Sequence, residues 1–252
     1  MNRIKEVGIV LWSELKQASR DRKILIIIAI YVILLGIGMK QSVTLSQTFS
    51  ASLFRVFLFS RTPIPYELLL FYFVSIAALP LFSLMLSYDS ISGGISNMTI
   101  RNLAVRVKRS SIITGKFLAQ VLTNASVNLT LYLMAALYMF WETRHLMLSQ
   151  TLQLWIYLTV FMIYFTSLGL LMSNITTKPH RSLYIGVALI IGLIFVSSYE
   201  SVAWMSPYNY YINGFHILAG NTAKVAESII SMLGFSALFF GASFFIFRRR
   251  DL

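Results

Sequence analysis

The 252-residue chain is 57% hydrophobic and only 12% charged, with a mean hydropathy of +0.73, a balance that excludes an ordinary soluble domain. Its 21 lysines and arginines against 9 acids give a net charge of +12, but the charges are segregated by loop rather than gathered into a nucleic-acid-binding face. No cysteine is present, which excludes disulfides, Cys-ligated metals and thiol nucleophiles.

Six apolar blocks, at 24–39, 68–87, 112–141, 152–172, 183–199 and 229–247, fill most of the chain. At about 1.5 Å per residue, about 20 residues cross a hydrocarbon core of about 30 Å. In lipid every backbone polar group must be paired within the protein, and continuous apolar runs without strand-like alternation predict helices. The expected fold class is an all-α polytopic membrane protein, a single transmembrane domain over 1–252 with six transmembrane helices. Arg3, Lys5, Lys16, Arg20, Arg22 and Lys23 precede the first block; Arg101, Arg106, Lys108, Arg109 and Lys116 follow the second; Lys178 and Arg181 follow the fourth; Arg248, Arg249 and Arg250 close the sixth. Only Lys40, Arg55, Arg61, Arg144 and Lys224 fall on the opposite side. The positive-inside rule then predicts both termini in the cytoplasm.

Residues 2–21 read as an amphipathic helix, with Ile4, Val7, Leu11, Leu15 and Ala18 at three- and four-residue spacing and basic residues on other faces. Such a helix lies in the headgroup plane, as a topological anchor or as an elbow that also touches a partner. Residues 1–23 are polar and basic, so no cleavable signal is expected and the first block is read as a retained span. The external segment 40–67 carries Phe49, Leu53, Phe54, Phe57 and Phe59 and predicts an interfacial or re-entrant helix, ended by Thr62-Pro63-Ile64-Pro65. Pro80 removes a backbone hydrogen bond from the second span and predicts a kink. Short loops are expected at 142–150 and 174–181. The external stretch 200–222 holds Trp204, Tyr208, Tyr210, Tyr211 and Phe215, which suit an interfacial aromatic belt or a substrate or partner platform.

The chemistry-bearing residues are sparse. Gly115-Lys116 lacks the upstream glycine and following Ser/Thr of a phosphate loop. His145, His180 and His216 fall in separate loops without metal-ligand spacing, so no metal site is predicted. Acids stand near span ends rather than mid-span, which argues against a proton or ion relay and leaves no catalytic carboxylate pair. The informative stretch is 88–116, YDSISGGISNMTIRNLAVRVKRSSIITGK. Asp89, Ser90 and Ser92 are candidate caps, Gly93-Gly94 a flexible corner, and Ser110-Ser111 a cap for the third span. Ile100, Leu103 and Val107 recur at i, i+3, i+7 on a short helix, with Arg101 and Arg106 elsewhere. An apolar face outside lipid needs a protein groove to bury it.

The order Tyr88-Asp89, a glycine corner, Thr99, Leu103, Arg109-Ser110-Ser111-Ile112-Ile113 and Gly115-Lys116-Phe117-Leu118 resembles the cytoplasmic signature of ABC-2 type permeases, the membrane subunits of ATP-binding-cassette exporters. The basic N-terminal helix, Ser206-Pro207-Tyr208 and the ending Phe247-Arg248-Arg249-Arg250-Asp251-Leu252 are similar to that family too. Tyr88-Asp89 and the tail most resemble the branch containing the nitrous-oxide-reductase maturation permease. The chain departs from it at Ser92-Gly93-Gly94-Ile95-Ser96-Asn97, where that branch carries an acidic cluster, and at Val107-Lys108, where a proline is usual. The resemblance implies a type V-like exporter domain in the plasma (inner) membrane of a prokaryote, not itself an enzyme, paired with a second permease subunit as homodimer or heterodimer. It also implies two copies of an ABC ATPase subunit, with ATP and magnesium held by that partner and no cofactor in this chain. Segment 89–111 would then be the cytoplasmic coupling loop, through Asp89, Ser92, Gly93, Gly94, Thr99, Ile100, Arg101, Leu103, Arg106 and Val107. Ile100, Leu103 and Val107 would dock, Arg101 and Arg106 rim them, Gly93-Gly94 hinge, and Ile4, Val7, Leu11 and Leu15 of the elbow make the second contact. The alternative is a membrane scaffold that docks a partner without moving a substrate. No residue set names a substrate.

Overall fold

The computed structural model describes residues 3–33, 36, 66–143, 148–211, 213–214 and 222–250. The external segment 40–65, loop residues 144–147, Phe215 and the Asp251-Leu252 end lie outside the described residues, as does most of the first block beyond residue 33. The described residues are helical throughout, without strands: α1 (Arg3–Ala18), α2 (22–33), α3 (Tyr66–Ser87), α4 (Ser92–Ser96), α5 (Thr99–Ala104), α6 (Arg109–Thr143), α7 (Leu148–Ile175), α8 (Pro179–Val196) and α9 (Thr222–Arg249). Among them α3 with the turn after it, α6, α7, α8 and α9 are long and apolar enough to cross a membrane.

Helix α7 is the axis, packing against α9, α3, α6 and α8. Its hydroxyls satisfy themselves within the helix: Thr159 Oγ1 donates to the Trp155 carbonyl at 2.7 Å and Thr166 Oγ1 to Met162 at 2.8 Å. Those same hydroxyls accept from α6, where Asn124 Nδ2 lies 2.7 Å from Thr166 and Asn128 Nδ2 lies 3.2 Å from Thr159. In a bundle surrounded by lipid such bonds fix helix register where apolar packing alone does not discriminate. The core between α2, α3, α6 and α7 is aromatic, with Tyr31, Phe71, Tyr72, Tyr132, Tyr157 and Phe165 all fully buried. Pro80 lies inside α3, as expected. Helices α8 and α9 leave Ile185, Phe195, Ile230 and Leu238 exposed, apolar surface of the kind lipid covers.

The bundle has two chemically distinct ends. At one, the chain folds two 3₁₀ turns, Ala203–Met205 and Pro207–Tyr210, down onto the helices. Tyr157 Oη donates to the Tyr210 carbonyl at 2.6 Å, Tyr72 Oη to Tyr211 at 2.7 Å and Tyr164 Oη to Met205 at 3.0 Å. Tyr210 is buried and Tyr208 packs on Phe161 and Phe165. These contacts close the bundle at this end, while Trp204 keeps an exposed ring. The other end carries the arginines and lysines.

Candidate coupling site at the basic end

The turn after α3 is fastened to two neighbours. Asp89 forms an ion pair with Lys23 at the start of α2. Burial acts against the Lys23 charge, but the Asp89 hydrogen bond and charge outweigh it and hold the ammonium above its ordinary pKa. Beyond Asp89, the backbone N–H groups of Ile91 and Ser92 both donate to Ser173 Oγ of α7 at 3.0 Å. Ser92 Oγ donates back to the Tyr88 carbonyl at 2.9 Å. The expected caps are thus used differently. Asp89 pairs with a lysine 66 residues away in sequence, and α4 begins after Ile91 with no side-chain cap.

Gly93-Gly94, expected as a flexible corner, lie inside α4. Gly94 is needed for close approach: a Cβ there would stand 2.6 Å from Ile100 Cγ1. The reversal falls instead at Asn97-Met98, where Met98 adopts φ 56°, a left-handed conformation unusual for a residue with a side chain. Thr99 Oγ1 then donates to the Gly94 carbonyl at 3.1 Å, tying α5 back onto α4. Gly94 thus serves packing at this turn, and the glycine pair expected as a hinge lies within a short helix rather than in a loop.

The expected docking face is also divided. Ile100 is 2% exposed and packs with Ile91, Ile112, Ile113, Leu170 and Phe247. Val107 is half-buried against the same cluster, in the turn after α5. Only Leu103, at 36% exposure, faces outward. Arg101 and Arg106 are exposed as expected, joined by Met98 and Val105. The apolar periodicity read from the sequence is real, but part of it is already filled by the chain's own helices.

Helix α1 runs along the start of α6. Glu6 Oε2 accepts from Ser111 Oγ at 2.9 Å and from the Lys108 N–H at 3.3 Å, and Glu14 Oε1 pairs with Lys116 Nζ at 2.6 Å. Between them Val10, 3% exposed, sits on Gly115, where a Cβ would lie 2.8 Å from Val10 Cβ. Residues 6, 10 and 14 form one i, i+4 line, so the contacting face is mostly acidic. The Ser111 hydrogen bond outweighs burial and, with the Lys108 N–H and charge, holds the Glu6 pKa below its ordinary value. The stripe Ile4, Val7, Leu11 and Leu15, expected to meet the ATPase partner, lies beside this line and is not used against α6: Ile4 is 79% exposed and the other three half-buried. The reason is electrostatic, since both carboxylates find cationic or hydroxyl partners on α6.

These fastenings bring α1 and the α4–α5 loop around one cavity of ≈ 450 Å³. Asp89, Gly93, Gly94, Thr99, Ile100 and Leu103 line it from the loop side, and Glu14, Gln17 and Asp21 from the N-terminal side, with Lys116 and Gln120 of α6. Arg101 and Arg106 do not line it, and Val107 lines a different cavity. The pairings of Glu14 with Lys116 and of Lys23 with Asp89 are not legible locally because they are long-range; the i, i+4 repeat Glu6–Val10–Glu14 is the available signal. Among the described residues no three His, Cys, Asp or Glu side chains lie together as metal ligands.

Residues 9–252 match the family model described as ABC-2 family transporter protein. The chain belongs to the ABC-2 transporter family. No curated protein matches it. An ABC-2 transporter protein of this kind is the permease subunit of an ABC transporter, a multi-pass membrane protein whose ATPase is a partner. The five apolar helices and the two-ended charge pattern of this permease accord with that membership.

Proposed function

We propose that this permease couples ATP hydrolysis by a separate ABC ATPase to export of a substrate, with the groove between α1 and the α4–α5 loop as the ATPase contact. The observation that carries the reading is the shared cavity, which joins the N-terminal helix to the coupling loop although 102 residues separate Glu14 from Lys116. The proposal includes a sixth span formed by the first apolar block, α1 as the elbow helix, and both termini in the cytoplasm of a prokaryotic plasma (inner) membrane. It further includes two ATPase copies holding ATP and magnesium, and a second permease subunit, identical or not. The branch resemblance carried by Tyr88-Asp89 and the arginine tail belongs to this proposal too.

The docking surface follows from burial. With Ile100 turned inward, the contact falls to Leu103, rimmed by Arg101 and Arg106, with the cavity carboxylates Asp89, Glu14 and Asp21 behind it. When the ATPase pair closes, force on this surface reaches α3 and α7 through Asp89, Ile91 and Ser92, and α6 through α1. Leu103→Asp tests the reading. A charge placed in an apolar contact costs several kcal/mol on assembly, so pull-down of the ATPase and ATP-driven transport fall together at unchanged membrane expression. Arg106→Ala, at an exposed rim, costs about 1 kcal/mol or less. If Leu103→Asp assembles and transports as the unaltered chain does, the docking surface is refuted; assembly without transport in the unaltered complex would favour the scaffold.

A further inference from the structure

A second cavity of ≈ 450 Å³ opens where α6 begins and α9 ends. Its polar lining is Lys108, Arg109, Ser110 and Arg248, its apolar lining includes Val107 and Phe244, and among the described residues no carboxylate lines it. Arg109 is fixed in place: its Nη1 donates to the Arg250 carbonyl at 2.7 Å and to the Arg248 carbonyl at 3.3 Å. Those partners are neutral, so the guanidinium is positioned without being neutralised. Neither Lys108 nor Arg248 enters a salt bridge among the described residues; the ion pairs at this end, Lys23 with Asp89 and Lys116 with Glu14, lie elsewhere. Glu6 commits its Oε2 to Ser111 and the Lys108 backbone. Three like charges around one space repel unless an anion lies between them.

The depth of the cavity narrows the choice of anion. On α9, Phe245 is exposed and the Arg249 guanidinium stacks over its ring at 4.1 Å. An exposed apolar ring followed within one turn by a stacked cation marks the passage from hydrocarbon to headgroups. Arg248 is the next residue along, and Phe244 continues the cavity wall toward the hydrocarbon. An anion seated here can therefore carry acyl chains. We propose that the cavity binds the phosphate of an anionic phospholipid, held by Lys108, Arg109, Arg248 and the Ser110 hydroxyl, with its acyl chains running past Phe244 along α9. Bound there, the lipid bridges the first turn of α6 to the last turn of α9. The inference needs the bundle to sit in a membrane, which family membership supplies, and does not depend on how an ATPase docks.

A soluble phosphate ester shares the headgroup chemistry, so the test separates the two. The delipidated full chain in detergent is melted with dioctanoyl phosphatidylglycerol, dioctanoyl phosphatidylcholine or inorganic phosphate, alongside K108Q, R248Q, the double variant and R181Q, an exposed charge outside the cavity. Phosphatidylglycerol is expected to raise Tm saturably, by about 5–10 °C at about 100 times Kd, with no shift from the other two. Each single variant should lose part of that shift and the double variant nearly all of it, at unchanged lipid-free Tm, while R181Q keeps it. An equal shift from phosphatidylcholine, an undiminished shift in K108Q and R248Q, or an equal loss in R181Q overturns the site. An equal shift from inorganic phosphate overturns the lipid and makes the occupant a soluble anion. Should the double variant fail to fold, the two single variants decide by the same comparison.

Discussion

Substituting Gly115 by alanine sets two effects of opposite sign against each other. Alanine is better than glycine inside a helix by about 1 kcal/mol, and Gly115 lies inside α6. Against this, the new Cβ would lie 2.8 Å from both Val10 Cβ and Val10 Cγ1 and 3.2 Å from the Val7 carbonyl. Ordinary carbon contacts need about 3.5–4.0 Å, so α1 must retreat by about 1 Å. Overpacking of this kind costs about 1–3 kcal/mol. The retreat also stretches the flanking Glu6–Ser111 and Glu14–Lys116 bonds, now 2.9 and 2.6 Å. The net expectation is a loss of about 0–2 kcal/mol, and a full detachment of α1 for Gly115→Leu. Gly192→Ala is the matched comparison, because it lies in α8 with nothing within 4 Å of its Cβ; there only the propensity gain remains and stability should rise or hold. Thermal unfolding of the purified chain measures both. Labelling a cysteine at the buried position 10, which keeps both carboxylate bonds in a chain otherwise free of cysteine, reports detachment directly. Equal melting temperatures for Gly115→Ala and Gly192→Ala, with position 10 still protected in Gly115→Leu, would refute the α1–α6 clamp.

The same clamp predicts a pH dependence. Because the Glu6 pKa is lowered on folding from its ordinary 4.5, its stabilising effect is complete above that value and disappears as pH falls through the lower, folded pKa; Glu6→Gln should flatten the acid limb of Tm against pH and leave neutral-pH behaviour insensitive to further acidification, and an unchanged acid limb would count against it. Ser173→Ala leaves two buried backbone donors, at Ile91 and Ser92, without their shared acceptor. Each orphan costs about 1–3 kcal/mol, so amide exchange at residues 91 and 92 should quicken and Tm should fall; unchanged exchange there means that the loop is not latched to α7.

The helices were legible in the sequence because lipid imposes one dominant rule, that apolar runs of sufficient length pair their own backbone. Blocks 112–141 and 152–172 extend as α6 (Arg109–Thr143) and α7 (Leu148–Ile175), longer at each end, since polar turns such as Arg109-Ser110-Ser111 continue a helix without altering a hydropathy average. The cytoplasmic-type loop was legible as a location but not as a surface. Periodicity marks Ile100, Leu103 and Val107 as one face, yet it cannot tell a face buried by a partner from one buried by the same chain. Ile100 meets Leu170 and Phe247, residues too far along the sequence for local pattern to connect. The face that α1 turns to α6 was not legible for a related reason: amphipathicity marks the apolar stripe, whereas Glu6 and Glu14 find their partners at Ser111 and Lys116, 105 and 102 residues away. The tyrosines at 208–211 read as interfacial by composition because their hydroxyls suit water; that Tyr210 gives its hydroxyl to the Trp204 carbonyl and Tyr208 packs its ring on Phe161 and Phe165 follows only from the fold.

What the fastenings do to the loop bears on how a permease could work. A short helix joined to its spans by flexible corners would absorb a push by bending. Here α4 and α5 are joined to each other through Thr99 and the Gly94–Ile100 contact, to α7 through Ser173, to α2 through Asp89 and Lys23, and to α6 and α9 through the Ile100 cluster. A displacement applied at Leu103 must then move these helix ends together or break one of the joints. The weakest joint by chemistry is the Lys23–Asp89 pair, partly exposed on both sides (43% and 33%) and so screened by water. Motion should therefore open this joint first, while Tyr31, hydrogen-bonded to Ser75 and packed on Phe71 and Phe82, keeps α2 on α3. A disulfide engineered between positions 23 and 89 would lock it; if transport persists unchanged in the oxidised form, while reduction makes no difference, the load does not pass through this joint.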